Sequence, residues 1–279
     1  MNIKHLVILW VTFCSFSLMA LAQEKPVERI ISLGPLVTEE LYLLSSSDKL
    51  VGCTVYCQRP EAATHKEKVG TVQEVNLEKI VSLKPDVVLA TELLDPRAEA
   101  KLRALGIRVV DIPNAKNFKE ICDVFLKLGQ MVGKESLALT IIADSKKQVD
   151  ELKRKLKDVK RPTVFVQVGA APLYTIGKDS FADDFINFSG GINIVTQKGY
   201  LHYSREQVMV NDPDVMLISS MGFSGLKEKQ NWERFKSLKS VARHRIFVID
   251  QYHLCSPTPV SFIETLKTVI HDLHPEINL

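Results

Sequence analysis

Beyond its first two dozen residues the sequence has no apolar run approaching the ~20 residues that cross a bilayer as a helix. Charge of one sign is also missing. The 36 Lys and Arg stand against 33 Asp and Glu, a formal net charge of +3, which leaves no electrostatic footprint for nucleic acid. Catalytic signatures are scarce: there is no GxSxG, no GxxxxGK[ST], no CxxC, no HExxH, and no GxGxxG after a predicted strand. These absences weigh against hydrolase, P-loop, dithiol-oxidoreductase, zincin and dinucleotide chemistry.

The N-terminus carries Lys4, an apolar run from Leu6 to Leu18, and then Ala20-Leu21-Ala22 ahead of Gln23. That order predicts a cleavable signal peptide over residues 1–22. A lipid anchor would need Cys at the cut site, where Gln23 stands, so the mature chain is expected free in a periplasm. Of the five cysteines, Cys53, Cys57, Cys122 and Cys255 follow the cut, and an oxidising compartment permits disulfides among them with three pairings open.

Apolar β-branched runs alternate with segments of helical period, the rhythm of an α/β fold. Residues 134–160 contain neither Gly nor Pro and place Ile142, Ser145, Val149, Leu152, Leu156 and Val159 on one face, which predicts one long helix. It divides the chain into an N-terminal α/β lobe (23–133) and a C-terminal one (161–279). The two halves match internally: residues 76–90 (NLEKIVSLKPDVVLA) align without a gap with residues 204–218 (SREQVMVNDPDVMLI). Both copies have a capping residue, a Glu two places later, a short helix, then Pro-Asp and a buried strand. Duplicated lobes predict a cleft between them as the ligand site.

Glu78 and Glu206 occupy matching first turns of short helices, where a carboxylate meets the helix dipole favourably. As a pseudo-symmetric pair they are also suited to a partner with two basic pockets. Tyr56, Tyr174, Tyr200, Tyr203 and Tyr252 fall in or beside loops that line a cleft in α/β lobes, with Pro35, Cys57 and Arg59 in the loops after the first two strands. Rigid aromatic faces with a polar hydroxyl suit a large ring-containing ligand. His202 and His253 sit among the tyrosines and are candidate axial ligands of a chelated metal. A bond from Cys57 to Cys255 would staple the cleft, and free thiols there would contact a soft metal. Cys122 reads as a small buried hydrophobe beside Phe118, Ile121 and Phe125.

Taken in order, RIISLGP (29–35), VGCTVYCQRPEA (51–62), Val69-Gly-Thr, Asn76 to Ala90, Leu105-Gly-Ile, Phe181 to Asn193 and SREQV (204–208) resemble the periplasmic binding proteins for cobalamin and ferric siderophores, over nearly the whole mature chain. The cobalamin-binding type looks nearest, through YTIGKDS (174–180) and SREQV. The resemblance implies two Rossmann-like lobes with a cleft between them, joined by one long helix, with modest closure. It also implies a monomer with no enzymatic activity or cofactor of its own, which hands a corrinoid to an ABC importer, and that Glu78 and Glu206 engage arginines of the permease dimer. Val72 and the Tyr200 to Tyr203 region stand where the cobalamin binder has cleft tryptophans, so a ferric siderophore or haem is the alternative ligand. Two other classes are a tetrapyrrole chelatase using His202 or His253, and a bare-metal receptor using His65, His202 or His253.

Overall fold

A computed structural model describes residues 27–219, 224–250, 252, 254 and 256–279. The expected signal peptide, His253 and Cys255 lie outside the described residues. In the first lobe, β1 (Ile30–Ser32), β2 (Leu50–Cys53), β3 (Val87–Thr91) and β4 (Val109–Ile112) form a parallel sheet of order β2-β1-β3-β4. Around it lie α1 (Pro35–Leu43), α2 (Leu77–Ser82), α3 (Pro96–Ala104) and α4 (Phe118–Met131). The connection is α5 (Glu135–Lys155).

The second lobe contains β5 (Thr163–Ala170), β6 (Leu173–Ile176), α6 (Phe181–Phe188), β7 (Ile192–Asn193), β8 (Tyr200–His202), α7 (Arg205–Asn211), β9 (Val215–Ser219), α8 (Gly225–Trp232), α9 (Lys239–Ala242), β10 (Ile246–Ile249) and α10 (Pro259–Leu273). Its sheet runs β10-β9-β5-β6-β8, with β7 paired to the start of β5. Reading β7-β5-β9-β10 against β2-β1-β3-β4 reproduces the first lobe strand for strand, all parallel. The antiparallel strands β6 and β8 are an addition of the second lobe, on the side of β5 that also carries β7.

The repeated segment shows why these residues take this shape twice. Asn76 accepts a hydrogen bond from the Lys79 amide, and Ser204 one from the Gln207 amide, so each copy opens a helix on a side-chain cap. Each helix then ends before a residue of positive φ at the same repeat position, Lys84 (φ 47°) or Asp212 (φ 42°), and Pro follows. The Asp of each Pro-Asp pair ties the joint to its lobe's first strand: Asp86 Oδ2 accepts from the Glu28 and Arg29 amides, and Asp214 Oδ2 from the Thr163 amide and hydroxyl, all at 3.0 Å. Gly70 is needed just upstream, since its φ is +114° and an added Cβ would lie 2.4 Å from the Glu74 carbonyl oxygen. That turn delivers Asn76 to its capping position through the bond from the Asn76 amide to Val69 O.

Period-two alternation sorts the strands between cores. Ile30, Val87, Leu89, Val164, Val166, Val215 and Leu217 point into one cluster continuous across both lobes. Their neighbours Ile31, Val88 and Ala90 face a private cluster of the first lobe, and Phe165, Met216 and Ile218 one of the second. Both faces of each sheet are therefore covered, as parallel strands require. The shared core contains Ala138, Ile142, Val149 and Leu152 of α5, spaced as one helical stripe.

At 21 residues α5 is about 31 Å long. It stops at Lys155, five residues short of the expected end, because the Leu156 amide turns to Lys153 O three residues back and the last turn tightens.

Two features tie the lobes together beneath the cleft. Phe262 of α10 stacks on Phe185 of α6 (centroids 4.2 Å, 17°) and leans on Phe118 of α4 at 4.5 Å. The Phe118 amide, an unpaired donor of the first turn of α4, donates to Asp184 Oδ2 of α6 at 2.7 Å. Burial pushes the Asp184 carboxyl up, and that amide opposes the rise.

One buried acid works against stability. Glu40 of α1 is fully buried, and its Oε2 has no hydrogen-bond partner among the described residues. Burial first, then the neighbouring Glu39 charge, pushes its pKa to about 8. The unfolded chain releases this proton near 4.5 while the native one keeps it, so stability falls as pH rises from about 4.5 to 8. At pH 7 the loss amounts to about 3 kcal/mol, and Glu40→Gln is expected to remove it. Urea unfolding at pH 4.5 and 7 checks this: the wild type should lose stability relative to the variant over that interval, and equal slopes would contradict it.

Candidate functional site

The carboxyl ends of parallel strands leave a crevice where ligands bind in open α/β sheets, and the cavity here opens at that position. It has a volume of about 390 Å³, with walls from both lobes: Leu36, Glu92 and Asn114 to Lys116 on one side, Asp179 to Phe181, Tyr200 and Ser256 on the other. Glu92 follows β3 and Asn114 follows β4, and the two are joined by a 2.8 Å bond from Asn114 Nδ2 to Glu92 Oε2. This size is at the lower end of small-molecule pockets, ~300–1,000 Å³. A larger ligand must therefore use the rim as well.

Of the expected tyrosines, Tyr200 lines this cavity. Tyr200 projects from β8, 57% exposed. Tyr174 of β6 lies opposite His202 of β8, and their rings pack 4.0 Å apart at 38°, leaving His202 exposed. Tyr56, 48% exposed, lies in the turn after β2. Its carbonyl accepts a 3.4 Å bond from the hydroxyl of Tyr252, and the Arg59 guanidinium sits 4.7 Å from the Tyr252 ring centre. Arg59 also approaches Glu39 of α1 at 3.5 Å. Pro35 opens α1 beside the cavity residue Leu36.

Cys57 and Tyr203 are placed differently from the other expected contacts. Cys57 is fully buried and turns inward, where the hydroxyls of Thr38 and Thr54 each lie 3.2 Å from its sulfur; it offers no surface to a ligand. Tyr203 packs its ring on Phe165 at 5.6 Å and accepts a bond from Asn211 Nδ2 at 3.1 Å, and burial pushes its phenol up. Half-buried, it packs against the second lobe's own core. Alternation explains the difference, because Tyr200 and His202 share one face of β8 and Tyr203 follows after the strand has ended.

Cys122 is buried, and that burial pushes its thiol to about 11. Among the described residues no group of three His, Cys, Asp or Glu is placed to hold a metal ion, and His65 is an exposed residue ending a 3₁₀ turn. The residues missed from sequence, Leu36, Glu92, Asn114, Lys116, Phe181 and Ser256, had one usable signal: several directly follow the ends of predicted strands.

Glu78 and Glu206 are both exposed in first turns of capped helices. The Glu206 carboxyl is held below its ordinary range by its own backbone amide and the Ser204 hydroxyl. Next to it, Arg205 is drawn inward: it pairs with buried Glu228 and lies 4.4 Å over the Trp232 ring. Glu228 accepts from Gln167 Nε2 at 2.9 Å, and Trp232 donates to Gln167 Oε1 at 2.6 Å. This network anchors the start of α7 to α8 and β5, so Glu206 stands on a fixed base.

Residues 30–252 match the model of the periplasmic binding protein family. A vitamin B12-binding protein of Vibrio cholerae is 30% identical over 251 residues, spanning 89% of this chain and 90% of its own. An ABC transporter substrate-binding lipoprotein of Bacillus subtilis, itself uncharacterised, is 28% identical over 91% of this chain and 82% of its own. Among solved structures, the periplasmic vitamin B12-binding protein of Vibrio cholerae superposes with a TM-score of 0.75 at 28% identity, covering 89% of this chain and 97% of that one. A periplasmic heme-binding protein of Pseudomonas aeruginosa superposes at 0.82 with 21% identity, over 90% and 94% of the two chains, a likeness of fold alone.

Proposed function

Because the chain belongs to the periplasmic binding protein family, we propose that it captures a corrinoid in the cleft between its lobes and delivers it to the permease of an ABC importer. The observation that carries the corrinoid reading is the likeness to vitamin B12-binding proteins, which runs through both lobes and therefore both walls of the cavity. The geometry agrees with it. A narrow floor with an open rim of Tyr56, Tyr174 and Tyr200 can bury one edge of a broad ring system and stack the rest. His202, exposed against Tyr174, presents an imidazole to a chelated cobalt or to a corrin side chain.

On this reading the protein acts by binding and release and turns nothing over. It acts as a monomer in the periplasm after cleavage following residue 22, and the permease dimer with its ATPase is the partner. Glu78 and Glu206, one per lobe at equivalent repeat positions, are the contacts offered to that dimer.

Thermal unfolding with a ligand panel tests the reading. Cobalamin at a hundred times its dissociation constant should add about 2.7 kcal/mol, raising Tm by roughly 5–10 °C, while haem and a ferric hydroxamate siderophore leave Tm unchanged. A rise with haem or the siderophore and none with cobalamin would transfer the assignment to that ligand.

A further inference from the structure

Cys53 ends β2, and the chain turns back at once: the Cys57 amide donates to Thr54 O at 3.1 Å, so four residues return the second sulfur to the first. The two thiols are free and fully buried on one turn, and Lys68 Nζ donates to the Cys57 carbonyl at 3.3 Å as well as reaching Cys53. Their surroundings are polar for a buried thiol pair. Lys68 Nζ lies 3.3 Å from Cys53 Sγ, and the Thr38 and Thr54 hydroxyls flank Cys57 Sγ at 3.2 Å. Of the three residues between the cysteines, Thr54 is buried and the other two are exposed at the tip, Val55 at 43% and Tyr56 at 48%, and Tyr56 is the residue that meets Tyr252 of the other lobe.

We propose that Cys53 and Cys57 are a thiol–disulfide couple, oxidised by a disulfide donor of the exported compartment to a bridge that pins the turn carrying Tyr56. The export of the chain and the place of Tyr56 on the cleft rim belong to the reading above, and the proposal rests on it to that extent. The chemistry follows from the arrangement. The Cys57 thiol is held below its ordinary range by the neighbouring Cys53 thiol, with help from Thr38 and Thr54, which favours its thiolate as the attacking group, while Cys53 is pushed up by that same neighbour and by burial.

When the turn opens, the Cys57 thiolate attacks one sulfur of the donor, forming a mixed disulfide and releasing one thiolate. Cys53 then attacks Cys57 Sγ, gives its proton to a departing thiolate and expels the second. The protein loses two electrons, and the donor's S–S bond is reduced to two thiols, the second proton being the one that Cys57 had released to water. Lys68 stabilises the negative charge that appears on Cys53 during the second step.

Cys53 and Cys57 lie together on the tryptic peptide between Lys49 and Lys66, which makes the test direct. The exported protein, and reduced protein treated with glutathione disulfide, are alkylated and digested without reductant. The expected result is that this peptide lacks two hydrogens and takes up no alkylating agent. Reduction should then raise amide exchange across residues 54–57 by on the order of tenfold, with α4 unchanged, and a Cys53→Ser, Cys57→Ser double variant should show no response to redox state.

Two alkylated cysteines after oxidation, or Cys57 linked to Cys255, would overturn the couple. Peptide mapping needs only wild-type protein, so a variant that fails to fold does not block the test. Bridge formation without corrinoid binding would leave the couple standing and sink the ligand reading, whereas corrinoid binding without the bridge would sink the couple alone.

Discussion

Lysine in place of both Glu78 and Glu206 is expected to abolish corrinoid import in cells while corrinoid affinity stays unchanged. Truncating one partner of a desolvated interfacial charge pair costs about 2–5 kcal/mol. Reversing two such charges should therefore lower the productive encounter by on the order of a hundredfold or more. The fold should tolerate the change, because both side chains are exposed and their helices keep the Asn76 and Ser204 caps. Single variants separate the lobes: under the proposed docking, each should weaken delivery in part, since one carboxylate remains. Uptake of labelled cobalamin, set beside its affinity for the purified protein, is the measurement. Import at the wild-type level by the double variant would remove the docking role from these residues.

Phe262→Ala should cost about 3–5 kcal/mol of stability, the range for deleting a buried aromatic ring, and lower Tm by roughly 10 °C. The ring lies between Phe118, which belongs to the first lobe, and Phe185 of the second, so its loss opens a cavity where the lobes join. Phe262→Leu keeps most of the volume and should cost less than half as much. Amide exchange adds a second readout, with protection expected to fall at the start of α4, where Asp184 holds the Phe118 amide, more than in the centre of either sheet. Equal losses everywhere would mean that the ring stabilises the molecule as a whole and does not join the lobes in particular.

The elements with local causes were legible in the residues. Alternating strands, the unbroken stripe of α5 and the capped helices bearing Glu78 and Glu206 each depend on neighbours within a few positions. The internal match of residues 76–90 with 204–218 likewise carried the two-lobe architecture, because a capped helix, a Pro-Asp joint and a buried strand fold the same way wherever they recur.

The tertiary structure alone decided which loop residues are buried and which are exposed. Cys57 and Tyr203 looked like Tyr56 and Tyr200 in sequence, yet one turn or one strand end buries Cys57 fully and Tyr203 in part while leaving Tyr56 and Tyr200 exposed. Glu92 and Asn114 came to the cavity wall, and Asp184 to the Phe118 amide, through pairings of segments more than 20 and more than 60 residues apart. Periodicity records which side of an element is apolar. It contains no information about which distant element covers that side, and here the choice rests on how the sheets and helices pack together.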